Sequence, residues 1–235
     1  PLARIFVASN WEILPVLNAL FKSEHFFDMA NRGVYIKSPF DLVFGSLRIF
    51  NVGYNVSDSS NYDAQYSLWR YFNTSILKPM EQSIGEVPNV SGWNAFYQAP
   101  SFHEYWINSN TVQKRYSFIN TIFNSYSPTF NGLKVKIEVD VIAWVLQFPS
   151  SKIEDPDQLV NECVKYLLPV DISLTTKNSL KVQNLLSNQT TNSYWSTAWI
   201  NYSNAPTNAT YVAVVKTRLK GLLLSITQLA EYQLM

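Results

Sequence analysis

The sequence predicts an all-α fold: an irregular multi-helix globular bundle with long packed loops and little or no strand. Three observations carry this. Apolar residues recur at helical spacing behind recognisable caps, period-two alternation occurs once, and only 7 glycines occur in 235 residues, too few for a turn-rich β fold. That length fits one large domain or two small ones. With 47% apolar and 15% aromatic residues, a core forms without disulfide or metal.

The elements follow in order. A short helix is expected over 15–28. Ser38 then offers an N-cap, Pro39 suits the first helical position, and Asp41 completes a capping-box-like arrangement. Behind it Phe40, Val43, Phe44, Leu47 and Phe50 make one apolar stripe. Short helices are expected at 62–78 and 100–108. Another starts near Asn110, with Gln113 three residues on and a stripe of Val112, Tyr116, Ile119, Ile122, Phe123 and Tyr126. Leu133 to Val139 alternates with period two, as a short strand or an unpartnered extended arm. After a short helix at 140–147, Asp155-Pro156 opens one that carries Leu159, Val160, Cys163, Val164, Leu167 and Leu168 as far as Pro169. Short helices at 175–187 and 194–202 precede the longest, from about Thr210 to the C-terminus.

The stretches 51–61 and 84–100 are long and loop-like. A turn-rich boundary near 127–133 separates residues 1–130, aromatic-rich and helical, from a helical part at 131–235; together they form one unit. No signal peptide is visible. The chain opens abruptly on Pro1-Leu2-Ala3-Arg4-Ile5-Phe6, as a fragment would. Leu2, Ile5, Phe6 and Val7 predict an apolar face that docks on a missing segment.

Charge and motif exclude several chemistries. Lys and Arg number 18 against 17 acids, a net +1 with no basic stripe, which argues against nucleic acid. No apolar run is long enough for a transmembrane segment. One cysteine and two histidines predict no metal site, and no cofactor motif is present. Nucleophile-elbow and phosphate-loop patterns are missing too. His103, with Ser101 and Glu104 near it, reads as a half-buried helix histidine, and Cys163 as a buried structural thiol. The carboxylates Asp41, Glu86, Glu104 and Asp140 select no catalytic pair. Charged residues are only 15%, so Asn, Ser, Thr, Gln and Tyr supply the polar surface, which suits an extracytoplasmic protein.

Two local features stand out. Lys37-Ser38-Pro39 places a lysine before a helix start, with Arg48 further into that helix. Pro88-Asn89-Val90-Ser91-Gly92-Trp93 is a proline-to-tryptophan turn. Two readings stand for that turn: a plug packed against the helix from Pro39 with Trp93 buried, or a ligand-facing aromatic wall suited to sugar or peptide.

These residues carry a resemblance. Ser23-Glu24-His25-Phe26-Phe27-Asp28, Lys37-Ser38-Pro39 with Arg48, the Pro88–Trp93 turn, Trp106-Ile107-Asn108, Arg115 and the ending Ala230-Glu231-Tyr232-Gln233-Leu234 resemble the bacterial family called domain of unknown function 1800. The resemblance spans the chain in the right order. It implies an exported protein, periplasmic or at the cell surface, of which this chain is the C-terminal half. It also implies a second exported bacterial protein as partner, and carries over no catalytic residue. Where many relatives have a Gly-rich stretch after the Gly-Trp pair, this chain has Asn94-Ala95-Phe96-Tyr97-Gln98. The candidate site residues are therefore Lys37, Ser38, Arg48, Asn89, Trp93, Trp106 and Arg115. The expected function is a helical binding or assembly module for a polymer, such as a glycan or peptide, or for a partner protein. The alternative is a hydrolase of an extracellular polymer, with part of its site on the missing half.

Overall fold

Ser38 caps the first core helix, which is third along the chain, and helices are numbered by chain position. In the computed structural model, which describes residues 1–53, 62–93, 102–130 and 132–235, these are α1 (Leu2–Ala8), α2 (Ile13–Phe21), α3 (Pro39–Ile49) and α4 (Tyr62–Tyr71). After them come α5 (Thr111–Phe123), α6 (Val141–Val145), α7 (Ser150–Glu154), α8 (Pro156–Leu167), α9 (Leu174–Leu180), α10 (Ser193–Asn204) and α11 (Ala209–Thr227). Helix accounts for 63% of the residues, and the fold is all-α. Of the expected loops 51–61 and 84–100, residues 54–61 and 94–100 lie outside the described residues.

The caps form where local sequence specifies them. Ser38 Oγ accepts from Asp41 N at 3.1 Å while the Asp41 carboxylate accepts from Ser38 N at 3.2 Å, a complete capping box. Asp155 likewise accepts from Asp157 N at 2.9 Å to open α8, which buries Cys163. At α5 the cap moves: Asn110 makes no side-chain bond, and Asn108 Oδ1 accepts from both Asn110 N and Thr111 N. The α3 stripe is wider than expected. Val43, Leu47 and Phe50 are buried, but so are Leu42 and Ser46, because α5 and the segment 72–77 cover two sides of the helix. Phe40 stays exposed beside Phe44.

Two elements end differently from their expected course. The helix over 62–78 keeps its span but widens to π geometry at Phe72–Leu77, then tightens to a 3-10 turn at Lys78–Met80. The last helix stops at Thr227 rather than at the terminus. Leu229 is extended, and a short turn at Ala230–Gln233 follows. A straight continuation would carry Tyr232 away from the body, whereas the turn buries it. The tail then pairs antiparallel with 35–37: Lys37 N donates to Gln233 O at 2.8 Å and Met235 N to Tyr35 O at 2.8 Å.

Among the described residues, strand is confined to β1 (Thr129–Phe130) against β2 (Leu133–Lys134), with isolated bridges at Ile36–Leu234 and Tyr126–Ile137. The alternation at 133–139 is that of an extended arm whose Val135, Ile137 and Val139 face the core. That core draws on residues from Leu42 to Tyr232.

No residue before Ser38 is buried. α1 and α2 form a hairpin, turned by left-handed Asn10 and Trp11, that exposes Val7, Trp11, Ile13, Leu14, Phe21 and Phe27. The short α1 was not foreseen, and α2 ends well before residue 28. Among the described residues, no helix is long and apolar enough to cross a membrane.

Candidate functional site

The predicted residues separate into two places. Lys37, Ser38 and Arg115 meet at a buried junction, whereas Trp93 and Trp106 line a surface cleft. Asn89 closes its own turn by accepting from Ser91 N at 2.8 Å. Arg48 is exposed at the other end of α3, roughly 15 Å from Ser38 at a helical rise of about 1.5 Å per residue.

At the junction the Arg115 guanidinium is fully buried. Its Nε donates to Gln233 Oε1 at 2.7 Å and its Nη2 to Lys37 O at 2.6 Å. Lys37 Nζ donates to Tyr232 O at 2.7 Å and lies 4.2 Å from the centre of the Tyr232 ring. The Tyr232 hydroxyl shares a 2.8 Å hydrogen bond with Ser46 Oγ. Burial lowers the Lys37 ammonium to about 8, helped by the neighbouring Arg115 charge and opposed by Asp41. Burial also lowers Arg115 to about 10. These groups fasten the C-terminal tail across α3 and α5. Lys37 Nζ and Arg115 Nη2 are committed to backbone carbonyls and Arg115 Nε to Gln233, so the junction reads as a structural fastening. His103 belongs to the same scaffold, since its Nδ1 accepts from Ile36 N at 3.1 Å.

The cleft, about 300 Å³, lies beside the 3-10 turn at Lys78–Met80. Glu81 follows that turn in the left-handed region (φ 70°), an arrangement a residue with Cβ adopts only under constraint. Its Oε1 accepts from Asn108 Nδ2 at 3.2 Å. Asn73 holds the next segment by accepting from Ile84 N at 2.7 Å, and Gln82 Oε1 ties it to Phe40 N at 2.8 Å. Lys78 and Glu86 form an exposed ion pair at 2.9 Å. Hydrogen bonds from Lys78 and then Ser83 hold the Glu86 carboxyl below its usual range. The aromatic wall is graded: Trp106 is buried, Trp93 half-buried and Tyr105 53% exposed.

Trp93 is part-buried and lines the cleft together with Trp106 and residues of the 78–88 segment. The α3 stripe is covered by α5 and the 72–77 segment, and Lys37 spends its ammonium on Tyr232 O. Glu81, Tyr105, Tyr232 and Gln233 were missed as site or junction residues. Only the last two had a signal, in the closing pattern of the chain. A larger cleft of about 460 Å³ lies between the 136–146 segment and the α10–α11 region, where Lys136 and Lys216 clamp Glu138. It contains none of the predicted residues.

An all-α scaffold, with its tail locked into the core and an aromatic and carboxylate cleft on its surface, defines the class. The chain belongs to the family described as protein of unknown function (DUF1800), which matches residues 1–234. No curated protein and no solved structure matches it.

Proposed function

We propose that this is an exported bacterial binding module, the C-terminal part of a longer protein, that takes a segment of an extracellular polymer in the cleft between Trp93 and the 78–86 segment. The observation that carries this reading is the pairing of part-buried Trp93 with exposed Tyr105 in one cleft, beside polar groups that hydrogen bonds already hold in place. Preorganised polar groups beside apolar faces are what a ligand site requires. The exposed α1–α2 hairpin supports an assembly role as well, with a second exported protein as the partner. A general-acid role for Glu86 is disfavoured, because hydrogen bonds from Lys78 and then Ser83 hold its carboxyl below the usual range.

The test is a screen of glycans and peptides against the protein, repeated with Trp93→Ala. Binding that disappears in the variant supports the cleft. Binding unchanged in the variant, or no binding to any polymer, overturns it.

A further inference from the structure

We propose that the ligand of this cleft is a glycan bearing free amines, its ammonium seated on Glu81 and its sugar rings laid against Trp93 and Tyr105. This rests on the cleft being the binding site. Its charges are one lysine and two glutamates. Lys78 and Glu86 neutralise each other at 2.9 Å, which leaves Glu81 as the uncompensated charge among the described lining residues. Glu81 Oε1 takes one amide hydrogen from Asn108, and Oε2 has no partner among the described residues. A carboxylate with a spare oxygen next to aromatic rings attracts a cation twice over, by charge and through the negative faces of the rings.

Glu81 is exposed at the cleft, and the Asn108 bond at 3.2 Å is what orients its carboxylate. Its backbone is held left-handed after a 3-10 turn, with Glu81 N donating to Lys78 O at 2.9 Å, and strain of this kind gathers at ligand clamps. The half-exposed aromatics choose between cationic ligands. A lysine side chain would satisfy Glu81 but has no flat face for two aromatic walls, whereas a pyranose ring presents C–H faces to both. Anionic glycans such as uronates meet Glu81 unshielded and are repelled.

The experiment is calorimetric titration of the full chain with four oligomers: glucosamine, N-acetylglucosamine, galacturonate and lysine. It is run at about pH 5.5, where amines of the α-amino type are protonated. Glucosamine oligomers are expected to bind about tenfold or more tightly than the N-acetylated ones, the size of one charged contact. Glu81→Gln, which keeps an acceptor for Asn108, is expected to erase that preference while leaving the melting temperature unchanged. Trp93→Ala is expected to weaken every glycan alike. Equal affinity for glucosamine and N-acetylglucosamine oligomers would overturn the amine and leave the binding module standing. Tightest binding to oligolysine would do the same in favour of a peptide. Failure of all four would overturn the amine-bearing glycan, and the wider polymer screen alone decides the binding module.

Discussion

Arg115 and Gln233, 118 residues apart in sequence, hold each other at 2.7 Å in a site sealed from solvent. Each leaves a donor over: Arg115 Nη1 and Gln233 Nε2 have no partner among the described residues. The pair joins α5 to the tail at the cost of two unmatched buried groups, each worth about 1–3 kcal/mol. Removing one member should therefore hurt more than removing both. Arg115→Met is expected to cost about 3–5 kcal/mol, because it strands Gln233 and the Lys37 carbonyl. Adding Gln233→Leu should recover part of that loss. Urea titration of the four proteins in the cycle gives the coupling; a value near zero would show that the two side chains act independently.

The Lys37 ammonium supplies a second expectation, in alkaline solution. Its folded value of about 8 lies below the unfolded value of about 10.4, so the unfolded chain binds more protons between them. Stability should rise as pH goes from 8 toward 10. Above about 10 the Tyr232 hydroxyl, raised to about 12 by burial, opposes the rise, because the unfolded phenol ionises first. Lys37→Met should flatten the limb between 8 and 10. An unchanged slope in that variant would assign the effect to another group.

In acid the sign reverses. Bonds from Lys136 and Lys216 hold Glu138 at about 2, against an ordinary glutamate value of about 4.3. Its contribution is complete above pH 4.3 and is lost as pH falls toward 2. Glu138→Gln should lose stability at neutral pH and show a shallower acid limb. Parallel limbs in the two proteins would contradict the clamp.

How much of this was legible depended on distance along the chain. Ser38 with Asp41 and Asp155 with Pro156 announce their helices because each cap is completed within three residues. Asn110 misled because Asn108 has the same chemistry two residues earlier and captures both amides. The junction was half legible. Lys37, Ser38 and Arg115 stood out in sequence, but their meeting with Gln233 requires the tail to leave the helix at Gln228, which no local signal dictates. Glu81 could not be foreseen at all. Its left-handed backbone is imposed by neighbours, not by its own side chain.

The α1–α2 hairpin should govern solubility rather than stability. Trp11 and Leu14 are about two-thirds exposed, at 66% and 67%, so replacing them removes little burial. Trp11→Lys with Leu14→Glu is expected to reduce association measured by light scattering and to shift the melting temperature by less than about 2 °C. A large loss of stability would mean that the hairpin packs on the body in solution.

Trp93 offers the sharpest test because another tryptophan serves as its control. Trp195 is fully buried, with its indole N–H donating to Ile153 O at 2.7 Å, and stacks on Trp199. Trp195→Ala removes a core side chain and its hydrogen bond, at about 3–5 kcal/mol. Trp93 is part-buried beside a cleft and gives up less contact on truncation, about 2 kcal/mol from its partial burial. In a chain of this size 1 kcal/mol moves the midpoint by about 2–4 °C. Thermal melts should therefore place Trp93→Ala clearly closer to the parent than Trp195→Ala, which should melt roughly 10 °C below it. The binding measurement should run the other way, lost in Trp93→Ala and kept by whatever Trp195→Ala remains folded at low temperature. If both variants melt equally early, the Pro88–Trp93 turn is a core plug, and the aromatic wall of the cleft owes its residues to packing.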